Sequence, residues 1–171
     1  IRGKVYLPAV KAKQGELKAI NGLSQDELDS VLPLVIPIDG LAHAGGQLQS
    51  YLTTQNSIIL LIDVSGRSNQ EVIGAFQGIL RDSGTRSFGI CVHDDISVSD
   101  FVALLQGTAA HFSAIRFDVT SAENLDSRIQ HVNNLWEAAQ NHGIDLSLIF
   151  DFHAIESEVN LVDFESVGTL I

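Results

Sequence analysis

Three separated stretches of this chain end alike, each an apolar run that closes on an aspartate flanked by hydrophobic residues. They are Ser57 to Val64 (SIILLIDV), Ala114 to Val119 (AIRFDV) and Leu146 to His153 (LSLIFDFH). Runs this short cannot span a membrane, and their Ile, Val and Phe content suits buried strands. Side chains alternate along a strand, so each run divides into two faces. Leu146, Leu148, Phe150 and Phe152 share one face of the last run, and Ser147, Ile149, Asp151 and His153 share the other. Ile115, Phe117 and Val119 likewise oppose Ala114, Arg116 and Asp118, while Ile58, Leu60 and Ile62 oppose Ile59, Leu61 and Asp63. One face is apolar throughout; the other turns polar only at its C-terminal end. A barrel of parallel strands wrapped in helices needs that combination.

The segments between the runs supply the helices. Lys4 to Val10 reads as a first strand, and the Lys11-Ala12-Lys13 tail sets two ammonium groups on one side of it. Gln14 to Leu23 suits a short helix, and Ser24 with Glu27 forms a capping box for a second that ends before Pro33. Leu34 to Ile38 is a second strand closed by Asp39-Gly40, followed by a weak helix over Leu41 to Thr53. Ser68 and Glu71 repeat the capping box, after which Val72, Phe76, Ile79 and Leu80 recur at helical spacing. Ser87 to Val92 is the fourth strand, with a helix over about Ser99 to Phe112 behind it. Thr120 and Glu123 give a third capping box before the stripe Leu125, Ile129, Val132, Leu135 and Trp136, which places Trp136 in the core. The last segment closes with Leu161, Phe164 and Val167 in an apolar helix.

Strand starts recur every thirty or so residues, the length of a βα unit. Alternation of this kind allows a barrel or an open doubly wound sheet, and the face pattern favours the barrel. The expected fold is therefore α/β, a parallel (β/α) TIM-barrel-like architecture over residues 1–171 as one domain. About six units are visible where a closed barrel needs eight. With no methionine and a start at Ile1, the chain reads as the N-terminal part of a longer protein, with its barrel incomplete.

Composition narrows the class. At 45% hydrophobic and 18% charged the chain is globular. It contains neither a long apolar span nor a charged-then-apolar leader, so a cytoplasmic protein without membrane attachment is expected. A formal net charge of −11 disfavours non-specific nucleic-acid binding. The single cysteine, Cys91, excludes an internal disulfide or a cysteine-rich zinc site and suits a buried thiol.

The opening KVYLPAVKAKQGELKAINGLS, followed by VLPLVIPID, resembles the start of the beta-protein family of phages, satellite phages and bacterial chromosomes. Tyr6, Pro8, Lys11, Lys13, Gly15 and Glu16 match its Tyr-x-Pro strand and Lys-x-Lys-x-Gly-Glu segment. Pro33, Leu34 and Pro37 match its second strand. The resemblance implies a prophage or antiphage-defence setting and a longer chain. It supplies neither an agreed reaction nor catalytic residues.

The candidate site follows from the architecture, because functional groups in parallel barrels gather at the C-terminal strand ends. Lys11, Lys13, Asp39, Asp63, His93, Arg116, Asp118, Asp151 and His153 would converge there. Each also has a plain structural role open to it: Asp39 in a turn, Asp94 and Asp95 at a helix cap, Lys11 in solvent. Several carboxylates at one mouth need compensating positive charge. Arg116 is one source, and a divalent ion on Asp63, Asp118 and Asp151 is the other. Mg²⁺ or Mn²⁺ suits these oxygens, and His93 or His153 would shift the choice toward Mn²⁺ or Zn²⁺. Asp63 to Arg67 also resembles a phosphate-gripping turn ahead of a helix.

Two functions fit. One is metal-assisted phosphoester hydrolysis, with Asp118, Asp151, His93 and His153 catalytic and Lys11, Lys13 and Arg116 holding the phosphate. The other is a non-catalytic binding or neutralising component that meets a protein partner through its acidic surface.

Overall fold

The computed structural model describes residues 6–51, 59–81, 87–119 and 124–151. His153, the Thr120 and Glu123 capping box and the terminal apolar segment lie outside the described residues. Strands and helices alternate as the sequence predicts: β1 (Ala9–Lys11), α1 (Gln14–Asn21), α2 (Gln25–Ser30), β2 (Leu34–Ile36), α3 (Leu41–Tyr51), β3 (Ile59–Asp63), α4 (Asn69–Arg81), β4 (Ser87–His93), α5 (Val98–Thr108), β5 (Phe112–Asp118), α6 (Leu125–Asn141) and β6 (Asp145–Asp151). The strands form one six-stranded sheet in chain order, β1-β2-β3-β4-β5-β6, with every neighbour pair parallel. A doubly wound sheet reverses its strand order partway, and this one does not.

Two apolar clusters show where each face goes. The larger draws on every helix, with Leu17, Leu28, Leu48, Phe76, Phe101 and Leu135 among its members. From the strands it takes Val35, Leu60, Ile62, Phe88, Ile90, Val92, Ile115, Phe117 and Leu146, with Val10 and Phe150 packed against it. The smaller cluster contains no helical residue: Leu32, Leu34, Leu61, Cys91, Phe112 and Ala114, with Leu7, Ile59 and Ile149 packed on it. All helices therefore lie on one face of the sheet, and the strand side chains of the other face meet one another. Gly89 makes one of those contacts possible, since a Cβ there would stand 2.3 Å from the Phe112 ring. Among the described residues no helix is long and apolar enough to cross a membrane.

Capping follows the sequence. Ser24 and Glu27 form the reciprocal box at the start of α2, which holds the Glu27 carboxyl below its ordinary value through the Ser24 side-chain and backbone hydrogen bonds. The Ser68 hydroxyl accepts from the Glu71 backbone N–H at 3.3 Å. Three expectations need correction. The strand expected over Lys4 to Val10 is regular only over Ala9–Lys11, with Tyr6 making an isolated bridge to Val31 and Lys4 and Val5 outside the described residues. The helix expected to reach Phe112 ends at Thr108, because Ala109 turns left-handed at φ 49° and Phe112 opens β5. Trp136, expected in the core, is 39% exposed while its neighbour Leu135 is fully buried. Adjacent helical positions lie about 100° apart, so Leu135 faces the sheet and Trp136 the flank of α6.

Candidate functional site

The ends of β3 to β6 gather two arginine-centred ion-pair groups. In the first, β strand geometry does the positioning: Asp63 ends β3, Arg116 lies near the end of β5 and Asp151 ends β6. Their alternation puts all three on the face without helices, above Cys91. The Arg116 Nη1 donates to Asp63 Oδ2 at 2.8 Å, and the Ser65 backbone N–H donates to Asp63 Oδ1 at 3.0 Å. Both oxygens of this buried carboxylate are thereby engaged. Arg116 Nε stands 3.5 Å from Asp151 Oδ2, yet its N–H is not aligned for a hydrogen bond, so that contact is coulombic. Ile62 and Phe117 face the helices and Phe150 packs with them, so the face assignment of Asp63 and Asp151 from sequence holds.

The Cys91 thiol beneath this group is pushed up to about 12, first by burial and then by the charges of Asp63 and Asp151, with Arg116 opposing. It is a neutral core thiol rather than a nucleophile.

The second group is one the sequence did not reveal. Asp94 follows β4 with a side chain only 3% exposed, and Arg128 of α6 grips it. Arg128 Nε and Nη2 both donate to Asp94 Oδ2, at 2.9 and 2.7 Å, and Nη2 also donates to the Asp118 carbonyl. The guanidinium sits 4.4 Å from the Phe117 ring centroid, a cation–π contact. Asp94 is therefore not a helix cap. That role falls to Ser97, whose hydroxyl accepts from the Asp100 backbone N–H at 3.1 Å. Arg128 was hidden because it borders the apolar stripe of α6, one position before Ile129. The available signal was an arginine one helical turn ahead of Val132, on the edge facing the strand ends.

His93 lies between the two groups. Its Nδ1 is 3.1 Å from Asp94 Oδ1 and 3.3 Å from Asp95 Oδ1, within ion-pair reach but without hydrogen-bond alignment. The ring lines two cavities. One, of about 420 Å³, lies between the first turns of α4 and α5 and includes Ser65, Gly66, Arg67, Asn69, Asp95 and Asp100 over a floor of Val64, Val92 and Leu104. Gly66 makes that loop possible with φ 71°. The other, of about 340 Å³, is lined by His93, Asp94, Asp95, Asp118, Ser127, Arg128 and His131.

The remaining candidates are dispersed. Asp118 pairs in register with Asp151 and lines the second cavity. Lys11 ends β1 and Lys13 precedes α1, both exposed at the far end of the strand order. Asp39 is exposed and 4.0 Å from His43, one turn along α3. Arg67, in the turn read as a phosphate grip, pairs with Glu71 at 3.1 Å. Among the described residues no three of His, Cys, Asp and Glu stand together as a metal-binding group. The guanidinium of Arg116 supplies positive charge beside Asp63 and Asp151.

No protein-family model matches this chain, and no curated protein matches it either. The likeness to the beta-protein family rests on its sequence motifs alone.

Proposed function

We propose that the chain belongs to a (β/α) barrel and acts as a non-catalytic binding component, its C-terminal mouth receiving a basic segment of a protein partner. The observation that carries this reading is Arg116 seated between Asp63 and Asp151 at 2.8 and 3.5 Å. With Arg128 on Asp94, it makes three of the mouth's carboxylates structural. Asp95 and Asp100 line the larger cavity, Asp95 at 3.3 Å from His93 Nδ1 and Asp100 accepting from Ser97 Oγ and Asn69 Nδ2, while the arginine there, Arg67, is paired with Glu71. Two helix N-termini add about half a positive charge each, which does no more than offset that balance. A cationic side chain gains from such a site and a dianionic phosphate does not. The beta-protein resemblance would set this binding in a prophage or in antiphage defence.

A specific observation also favours the second reading, phosphoester hydrolysis: His93 lines both cavities with Nδ1 turned to Asp94 and Asp95, leaving Nε2 for a proton transfer. A metal-assisted form would require an ion to displace Arg116 from Asp63 and Asp151.

Thermal unfolding and peptide titration separate the two. Under the binding reading, Mn²⁺, Mg²⁺, Zn²⁺ and inorganic phosphate leave the melting temperature unchanged. A lysine- and arginine-rich peptide binds in a salt-sensitive way, weakened by Asp95→Asn with Asp100→Asn but not by the distant pair Asp26→Asn with Asp29→Asn. A metal-dependent rise of several degrees that disappears in the Asp118→Ala, Asp151→Ala double variant would instead establish the hydrolase reading.

A further inference from the structure

The two cavities at the strand ends are neighbours. Both are lined by His93 and Asp95, so one imidazole ring and one exposed carboxylate form a shared wall. Each cavity holds more carboxylate than its arginine answers. In the larger, Asp95 and Asp100 stand with Arg67, which is paired with Glu71. In the smaller, Asp94, Asp95 and Asp118 stand with Arg128, whose Nε and Nη2 both donate to Asp94 Oδ2. Acidic residues alone would not make either cavity a binding site. Each also contains a residue with a buried polar atom that has no hydrogen-bond partner among the described residues: Ser65 Oγ in the larger and Asp94 Oδ1 in the smaller. The Asp94 side chain is only 3% exposed, and the nearby His93 Nδ1, 3.1 Å from Oδ1, is not aligned to donate. A buried acceptor in that state carries a desolvation cost that an incoming donor relieves.

We propose that the basic segment of the partner presents two lysines two residues apart, one ammonium to each cavity, on either side of His93. The proposal rests on the binding reading above and adds to it a side chain and a spacing. Lysine is favoured by what each cavity has left to offer. Arg128 already occupies Asp94 Oδ2, so a second guanidinium fork would find one oxygen where it needs two in parallel. Ser65 likewise offers a single oxygen. An ammonium is a point charge with three rotatable donors and suits single acceptors on separate residues. The floor of the larger cavity, Val64, Val92 and Leu104, would take the aliphatic stem of the lysine while its head stays with the polar wall. The spacing follows from the shared wall. Side chains two apart on an extended segment point the same way, about 7 Å from one another, which lets them straddle a single imidazole ring.

The probes are two capped peptides of equal length and charge, one with Lys-Ala-Lys at its centre and one with its two lysines at opposite ends, titrated calorimetrically into the full chain at low salt. The Lys-Ala-Lys peptide should bind about tenfold tighter or more, because its second ammonium enters at the high effective concentration set by the first. Ser65→Ala acts on the larger cavity alone and Asp118→Asn on the smaller alone. Each variant, with its fold confirmed by circular dichroism, should bring the two peptides to similar affinity. The proposal is overturned by equal affinity of the two peptides for the parent chain, by a preference that survives in either variant, or by more than one Lys-Ala-Lys peptide bound per chain. Equal affinity would sink the paired-lysine inference and leave the binding reading standing. Failure of both peptides to bind would remove the two together.

Discussion

The two arginine groups at the strand ends are built from different material. Arg116 is a strand residue that joins the ends of β3 and β6 across the face where no helix lies. Arg128 is a helix residue that reaches past Phe117 to a carboxylate on the loop after β4. The first is strand held to strand; the second pins a helix onto the sheet. Their burial differs too, with the Asp94 side chain 3% exposed against 10% for Asp63 and 28% for Asp151. Burial decides what removal of a partner costs, since a carboxylate stripped of its cation in a dry site is not rescued by water. The Arg128 group should therefore dominate stability, and the Arg116 group should be the one open to its surroundings.

The largest effect is expected at Arg128. Arg128→Ala removes both donors of a buried carboxylate and the cation over Phe117, and should cost about 3 to 5 kcal/mol. Urea denaturation should show a lower midpoint with an unchanged slope. The double change Arg128→Met, Asp94→Leu should recover much of the loss, because an apolar pair leaves no stranded charge. A double variant no better than the single one would mean that Arg128 acts through Phe117 or the Asp118 carbonyl.

Arg116→Met should cost less, about 2 kcal/mol, because Asp151 retains solvent and Asp63 keeps the Ser65 backbone donor. Adding Asp63→Asn should restore part of it, and the cycle should give a coupling of about 1 kcal/mol. Equal losses at Arg116 and Arg128 would break the contrast between the two groups. Comparable in size is Gly89→Ala, where a Cβ 2.3 Å from the Phe112 ring forces the strand-only face to move. Overpacking of this kind costs about 1 to 3 kcal/mol, and Phe112→Leu in the same chain should recover only part of it, because the Phe112 carbonyl oxygen would still stand 2.8 Å from the new Cβ.

How much of this was legible follows from the same contrast. Residues two apart on a strand share a face whatever the tertiary structure, so Asp63, Arg116 and Asp151 could be grouped from their runs alone. The Arg128 partnership spans a helix, a loop and a strand, and nothing local in LDSRIQHV distinguishes a gripping arginine from a solvated one. Trp136 fails for a related reason: a stripe read at helical spacing does not reveal which flank a neighbouring element covers. Ala109 fails differently, since a non-glycine residue in the left-handed region carries no compositional flag, and helical spacing alone carries the helix on to Phe112. Which cations answer the carboxylates is a question of distance. The sequence names arginine and metal as alternatives, and only the coordinates give the 2.8 Å from Arg116 to Asp63.

The effect that is smallest at neutral pH probes the field of the Arg116 group directly. The Cys91 thiol is raised from an ordinary 9.0 to about 12, by burial first, then by Asp63 and Asp151, with Arg116 pulling it down. A thiol raised in the folded state loses its proton more readily when unfolded, so the unfolded chain binds fewer protons once pH exceeds about 9. Its contribution to stability is then complete below pH 9 and declines as pH rises toward 12, by at most about 1.4 kcal/mol per pH unit. Cys91→Ala should remove that decline, at a pH-independent cost of about 1 kcal/mol for the emptied sulfur volume in the core. Thiolate absorbance in native protein should show no ionisation at pH 9. Asp63→Asn removes one of the charges that raise the thiol, so its ionisation should begin at lower pH than in the parent. Arg116→Met removes the charge that lowers it, so ionisation should begin higher. Opposite shifts in the two variants would place the guanidinium and the carboxylate over the same sulfur. Shifts of the same sign would mean that access of water, not the ion pair, controls the thiol.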